Sequence, residues 1–445
     1  TLTRISDRMI QVEAEKTGVP DSQAEAWSLS EELTVDVREG NLRVVGPGEQ
    51  VLWAGHLVPF EAFGRAGVPG LLLEWKAQEK EVIYGLGERF DALDQAGKRV
   101  DLWIVDAPGQ GDLNDLTYFT TPILYSSAGY GLFPADNPEG IMDLNSGGDG
   151  FHRYSRPGSA MTFTLSLAPN LREQLMDRMR IQGPVKTIPD WAWGPWISKN
   201  SYENQGEAEA AIQGSIDRDL PVAAIVQEAW KGSSEDGNFN NFNTDYRWPE
   251  LDRYLNWCET LGIRNVLWQV PILHPASPHY QVAAEMGYFV KKPDGSISHR
   301  EHWLAGFANI DFTNPDAVKF WQDLVRPALK TSVAGFKADD GEDIKPDDVF
   351  FDGRRGWEMH NEWSYLYNQA LTDLLAEEKV DGMLWARSGS LGIEKTPGLW
   401  AGDQFANWMD YRSLLPAGLS ASISGAPFWS HDIGGYIDTP TPELY

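Results

Sequence analysis

The chain has 445 residues, too many for one typical domain, so two or three domains are expected, one of them a barrel of above-average size. Lys and Arg total 37 against 65 Asp and Glu, a net charge of −28, and no stretch interleaves basic with aromatic residues, which excludes nucleic acid and anionic membrane surfaces as partners. No apolar run approaches the roughly 18 residues of a membrane helix and no basic-then-apolar signal follows Thr1, so a soluble protein is expected, cytoplasmic sooner than secreted, with no oligomeric state indicated.

From Thr1 to Lys186 the apolar runs are short, as in LTVDV, LRVVG, LLLEW, VIYGLG and MTFTLSLA, and Gly, Pro, Asn and Asp separate them. This pattern predicts a β-sandwich over 1–186. Around VKTIPDWAWGPW the rhythm changes to buried apolar strands alternating with helical stretches, so a second domain is expected over 187–445. Seven strands are predicted there: WGPWIS (193–198), VAAIVQE (222–228), RNVLWQV (264–270), VAGFKAD (333–339), DGMLWARS (381–388), GLWAGD (398–403) and APFWSHD (426–432). Helical spacing covers Asp316–Trp321 and Glu362–Leu375, and Asn314, Pro315 and Asp316 stand in helix-start order. In the amphipathic run LDRYLNWCETLG the single cysteine, Cys258, reads as a buried thiol. The fold class is therefore α/β plus all-β, with a (β/α)₈ barrel whose last strand is missing after PELY445.

Four predicted strands end in polar groups: Glu228, Asp339, Asp403 and the pair His431-Asp432. Any one could be a helix cap or a turn residue, but strand ends of a barrel converge on one face, where catalytic groups sit. Side-chain alternation puts Lys337 and Asp339 on one face, and an ammonium near Asp339 would favour the ionised form a nucleophile needs. The acidic run Asp339, Asp340, Glu342, Asp343 could hold a cation, yet its spacing does not fit a calcium loop, and no metal is expected. Asp403 follows Trp400 by three residues, and a carboxyl beside an aromatic wall tends to stay protonated, as a general acid requires. Two such carboxylates could straddle a glycosidic bond. The 19 Trp, 15 Tyr and 18 Phe offer flat faces for sugar rings, or core packing.

GFKADDGED, WARSGS followed by LWAGD, and FWSHDIGG closely resemble, in that order, the motifs of glycoside hydrolase family 31, and YGLGERFDAL (84–93) resembles the signature of that family's N-terminal sandwich. The resemblance implies Asp339 as nucleophile and Asp403 as acid/base. It implies Arg387 and His431 as ligands of sugar hydroxyls and Trp268 as part of the wall of subsite −1, while Trp400, an aromatic beside Asp403, is a further candidate substrate contact. Lys337 matches a lysine of the α-xylosidase-like branch. Where the family usually has an aspartate at the end of the second strand, this chain has Glu228 with the small Ala229 beside it, and the extra methylene moves the carboxylate by roughly 1 Å. The reading is a retaining exo-α-glycosidase for α-glucosidic or α-xylosidic bonds of an oligosaccharide or simple α-glycoside, needing no cofactor. Alternatives are transglycosylation, with Trp230 and Trp400 as acceptor platforms, α-galactoside specificity, or a sugar-binding protein without activity.

Overall fold

A computed structural model describes the chain except for residues 16–24, 29–32, 39, 107, 110–115, 229, 231–239, 243–246, 302 and 397. Ala229, the expected small neighbour of Glu228, lies outside the described residues.

The N-terminal part is a sandwich of a six-stranded and an eight-stranded sheet. Period-two alternation sends one face of each strand inward, as in Val68–Lys76, where Leu71, Leu73 and Trp75 are buried. They meet Ile10, Val12, Leu132, Phe163 and Leu165 of the opposing sheet in one apolar core. A helix α1 (Leu171–Gln182), capped by the Asn170 side chain, leads out of the sandwich.

Seven parallel strands follow: β1 (Trp196–Ile197), β2 (Ala224–Gln227), β3 (Arg264–Gln269), β4 (Val333–Ala338), β5 (Met383–Ala386), β6 (Leu399–Trp400) and β7 (Trp429–Ser430). They pair in sequence order, and among the described residues no hydrogen-bonded pairing joins β7 to β1, so the sheet is a curled, open barrel. All seven expected strands are present, although β1, β6 and β7 carry only two residues each. Every residue of β4 is buried, as a central strand covered on both faces must be.

The helices are α2 (Gln205–Ile216), α3 (Leu251–Thr260), α4 (Tyr280–Met286), α5 (Pro315–Val325), α6 (Gly356–Glu377) and α7 (Trp408–Ser424). In α5 the Asn314 Oδ1 accepts from the Asp316 backbone N–H at 3.0 Å and Pro315 occupies the first turn, as the sequence order implied. Cys258 is buried on α3. No helix among the described residues is long and apolar enough to cross a membrane.

The sandwich docks on the barrel through residues 87–89. Gly87 and Arg89 donate backbone N–H groups to Ser424 and Ser420 of α7 at 2.9 and 2.8 Å, and Trp429 Nε1 donates to Glu88 Oε1 at 2.6 Å.

Candidate active site

Asp339 directly follows β4, and its N–H still donates to the Gln269 carbonyl of β3 at 2.9 Å, so strand geometry aims its side chain. Its Oδ2 accepts from Trp268 Nε1 and its Oδ1 from the Asp340 N–H, both at 2.8 Å. Asp340 adopts the left-handed conformation at φ 69°, where short polar residues are tolerated, and this turn directs its N–H back at Asp339. The buried Asp340 carboxylate is clamped by both terminal nitrogens of Arg300. Against the desolvation of full burial, that guanidinium holds it below the ordinary carboxylate range.

Arg387 follows β5 and is 2 % exposed. Its Nε and Nη2 engage Glu342 at 3.0 and 2.8 Å in a fork that fixes the guanidinium plane. Its remaining Nη1 lies 3.2 Å from Asp339, 3.4 Å from Asp106 and 3.7 Å from Asp403. The guanidinium carbon is 5.0 Å from the centre of the Tyr118 ring and 5.9 Å from that of Trp303.

Asp403 follows β6 across Gly402, whose φ is +74° and where a Cβ would lie 2.1 Å from the Tyr118 ring, so only glycine fits. Burial pushes the Asp403 carboxyl up to about 6, with Arg387 pulling it down and Asp339 pushing it further up. The expected direction for a general acid is thus present.

Lys337 shares the face of Asp339 but serves a different carboxylate, since its Nζ donates to Glu228 Oε1 at 2.9 Å. The cation in contact with Asp339 is Arg387, not the lysine that strand alternation suggested. The same ammonium stands 4.8 Å above the Trp400 ring and 5.9 Å from that of Tyr436. Burial pushes Glu228 up to about 7 although Lys337 pulls it down. Burial opposes the charge on Lys337, but Glu228, Asp432 and Asp339 outweigh it and raise the ammonium above its ordinary value. Asp432 Oδ2 and Trp400 Nε1 are buried and have no hydrogen-bond partner among the described residues.

The expected residues Asp339, Asp403, Arg387 and Trp268 form one contact network, and Lys337, Glu228 and Trp400 form another around the ammonium. His431 enters neither network among the contacts of the described residues. Its Nδ1 faces the Asp432 carbonyl at 3.0 Å and its ring lies 6.1 Å from Trp429. The acceptor platforms expected at Trp230 and Trp400 need correction, because these rings are 6 % and 1 % exposed and Trp230 Nε1 is tied to the Trp268 carbonyl at 2.8 Å. Exposed aromatics beside the cluster include Trp303, at 40 %, and Tyr436, at 36 %. Sequence reasoning missed Asp106, Tyr118, Arg300, Trp303 and Tyr436. It noticed Glu342 only as an acid in a cation-like run, whereas that carboxylate orients Arg387. Among the described residues no group of three or more His, Cys, Asp or Glu could hold a metal ion.

A family model for the family 31 glycosyl hydrolase TIM-barrel domain matches residues 185–445, and one for the N-terminal galactose mutarotase-like domain of glycosyl hydrolase 31 matches residues 11–139. An alpha-xylosidase of Emericella nidulans is 30 % identical over 371 residues, covering 82 % of this chain and 47 % of that protein. An isomaltosyltransferase of Sporosarcina globispora is 27 % identical over 407 residues, covering 82 % and 36 %. The chain spans about half the length of the curated relatives it matches. Among solved structures, the cycloalternan-forming enzyme from Listeria monocytogenes superposes with a TM-score of 0.88 at 21 % identity, over 100 % of this chain and 47 % of that one.

Proposed function

The chain belongs to glycoside hydrolase family 31, and on that premise we propose that it carries the catalytic centre of a retaining exo-α-glycosidase acting on α-glucosidic or α-xylosidic bonds. The observation that supports this most is the sharing of one Arg387 nitrogen by Asp339 and Asp403. One nitrogen within reach of both brings the two carboxyls to a single site, as the paired acids of a glycosidase require, and the retaining course follows from the family. Asp339, held by Trp268, the Asp340 N–H and Arg387, attacks the anomeric carbon from the β face. Asp403, its carboxyl raised by burial, gives its proton to the leaving oxygen and then takes one from the water that releases the sugar. Both displacements invert, so the α configuration is kept.

In this reading Arg387 balances charge between the two acids. Glu228, Lys337, Trp400 and His431 line the sugar site, and Trp268 walls it. The domain boundary falls between 186 and 187. A protein that only binds sugar would have no use for one acid raised by burial beside another held by two N–H donors and a guanidinium. Transfer to a second sugar is the competing outcome, favoured by the exposed Trp303 ring next to Arg387, and product analysis at high donor concentration separates it from hydrolysis.

The reading is tested with Asp339→Ala in the full-length protein. Turnover of an aryl α-glucoside is expected to fall by at least about 10³-fold, and azide is expected to restore it with a β-glycosyl azide as product. Near-parental turnover by the variant overturns the assignment.

A further inference from the structure

Three carboxylates lie within ion-pair distance of Arg387 Nη1. Two are Asp339 and Asp403. The third, Asp106, comes from the other domain, 3.4 Å away. Since Glu342 occupies Nε and Nη2, the balance at Nη1 decides how much of the guanidinium charge each acid receives.

Asp106 arrives on a held arm. On α6, Asn361 Nδ2 donates to the Leu102 carbonyl at 2.9 Å and Asn361 Oδ1 accepts from the Ile104 N–H at 3.1 Å. The neighbouring His360 directs Nε2 at the Ile104 carbonyl at 2.7 Å and Nδ1 at the Ile344 carbonyl at 2.6 Å. Its ring is stacked on Trp103 with 3.3 Å between centroids, and Arg65 lies 4.4 Å from the centre of the Trp103 ring. The Val105 N–H donates to the Thr117 carbonyl at 3.0 Å. The backbone from 102 to 105 is thus fixed to the barrel helix and to its own domain, while a third of the Asp106 side chain stays open to solvent. Side-chain packing and backbone bonds of this kind set a position to a fraction of an ångström.

We propose that Asp106 is a positioning residue of the catalytic pair, supplied by the sandwich domain and held by His360 and Asn361, which draws Arg387 away from the acid/base. This rests on the glycosidase reading above. Removing its charge acts in one direction through two routes. Arg387 is freed to neutralise Asp403, and one of the negative charges that push the Asp403 carboxyl up disappears. Both favour ionised Asp403, so the acid form is lost at lower pH.

The test is the pH dependence of kcat/KM for an aryl α-glycoside with the full-length protein, its Asp106→Asn variant and its Asp106→Glu variant. In Asp106→Asn the alkaline limb moves down by roughly 0.5–1 pH unit, while Asp106→Glu keeps it close to the parent. A residue that merely holds the fold would lower the rate at every pH without moving the limb. A limb of Asp106→Asn that coincides with the parent overturns the proposal. Asp339→Ala run alongside separates the two readings: retained turnover there defeats the glycosidase assignment, whereas an inactive Asp339→Ala with an unmoved Asp106→Asn limb defeats only the role of Asp106.

Discussion

Lys337 and Asp339 leave the same face of β4 and end on different carboxylates, which divides the site into two parts. Arg387 gathers Asp339 and Asp403, and Lys337 ties Glu228 over the Trp400 ring. The Lys337–Glu228 bond reaches past β3, the strand between β2 and β4, so no local pattern could reveal it. The strand-end acids were legible because a buried apolar run that closes on a carboxylate is unusual, but their partners depend on register between distant segments. A shorter side chain at 228 should retract the carboxylate by roughly 1 Å and leave a sugar hydroxyl or the ammonium underpaired. Glu228→Asp is therefore expected to change the ratios of kcat/KM among aryl α-glucoside, α-xyloside and α-galactoside by about tenfold. Unchanged ratios would mean that Glu228 does not read the sugar.

The segment Tyr84–Leu93, legible as a sandwich signature, acts at the level of packed elements. Its Glu88 is buried against β7 and α7, with Oε1 bonded to Trp429 and Oε2 without a hydrogen-bond partner among the described residues. Burial pushes its carboxyl up to about 8 from 4.5, so the proton it carries belongs to the folded state. A carboxyl raised in this way stabilises fully below the unfolded value, and the benefit is lost as pH rises toward the folded one. Thermal unfolding should show the sign directly. From pH 5 to 8 the parent is expected to lose more Tm than Glu88→Gln, which keeps the acceptor for Trp429 and cannot ionise. Parallel pH profiles for the two would place no titration at this contact. The helices α3, α5 and α6 were readable from apolar spacing, α5 also from its cap, whereas the two-residue lengths of β6 and β7 were not, because the chain leaves the sheet at the residues that carry polar groups.

At the scale of the molecule the site lies on the seam between two domains. The barrel's share that gathers around Arg387 was readable from the ordered motifs around Asp339, Arg387 and Asp403. The sandwich's share, Asp106 and Tyr118, was not, since nothing near those residues marks them and only the docking of residues 87–89 and 102–106 on α6, α7 and β7 brings them to Arg387. Excess acid, −28 overall, fits this arrangement, in which a few buried guanidiniums hold many carboxylates. The central claim is a covalent glycosyl intermediate on one named oxygen acid. Incubation of the full-length protein with a 5-fluoro-α-glycosyl fluoride, followed by mass mapping of its peptides, tests it most directly. The account predicts a single sugar adduct on Asp339, and an adduct on Asp403, or turnover of the reagent with none on Asp339, would contradict it.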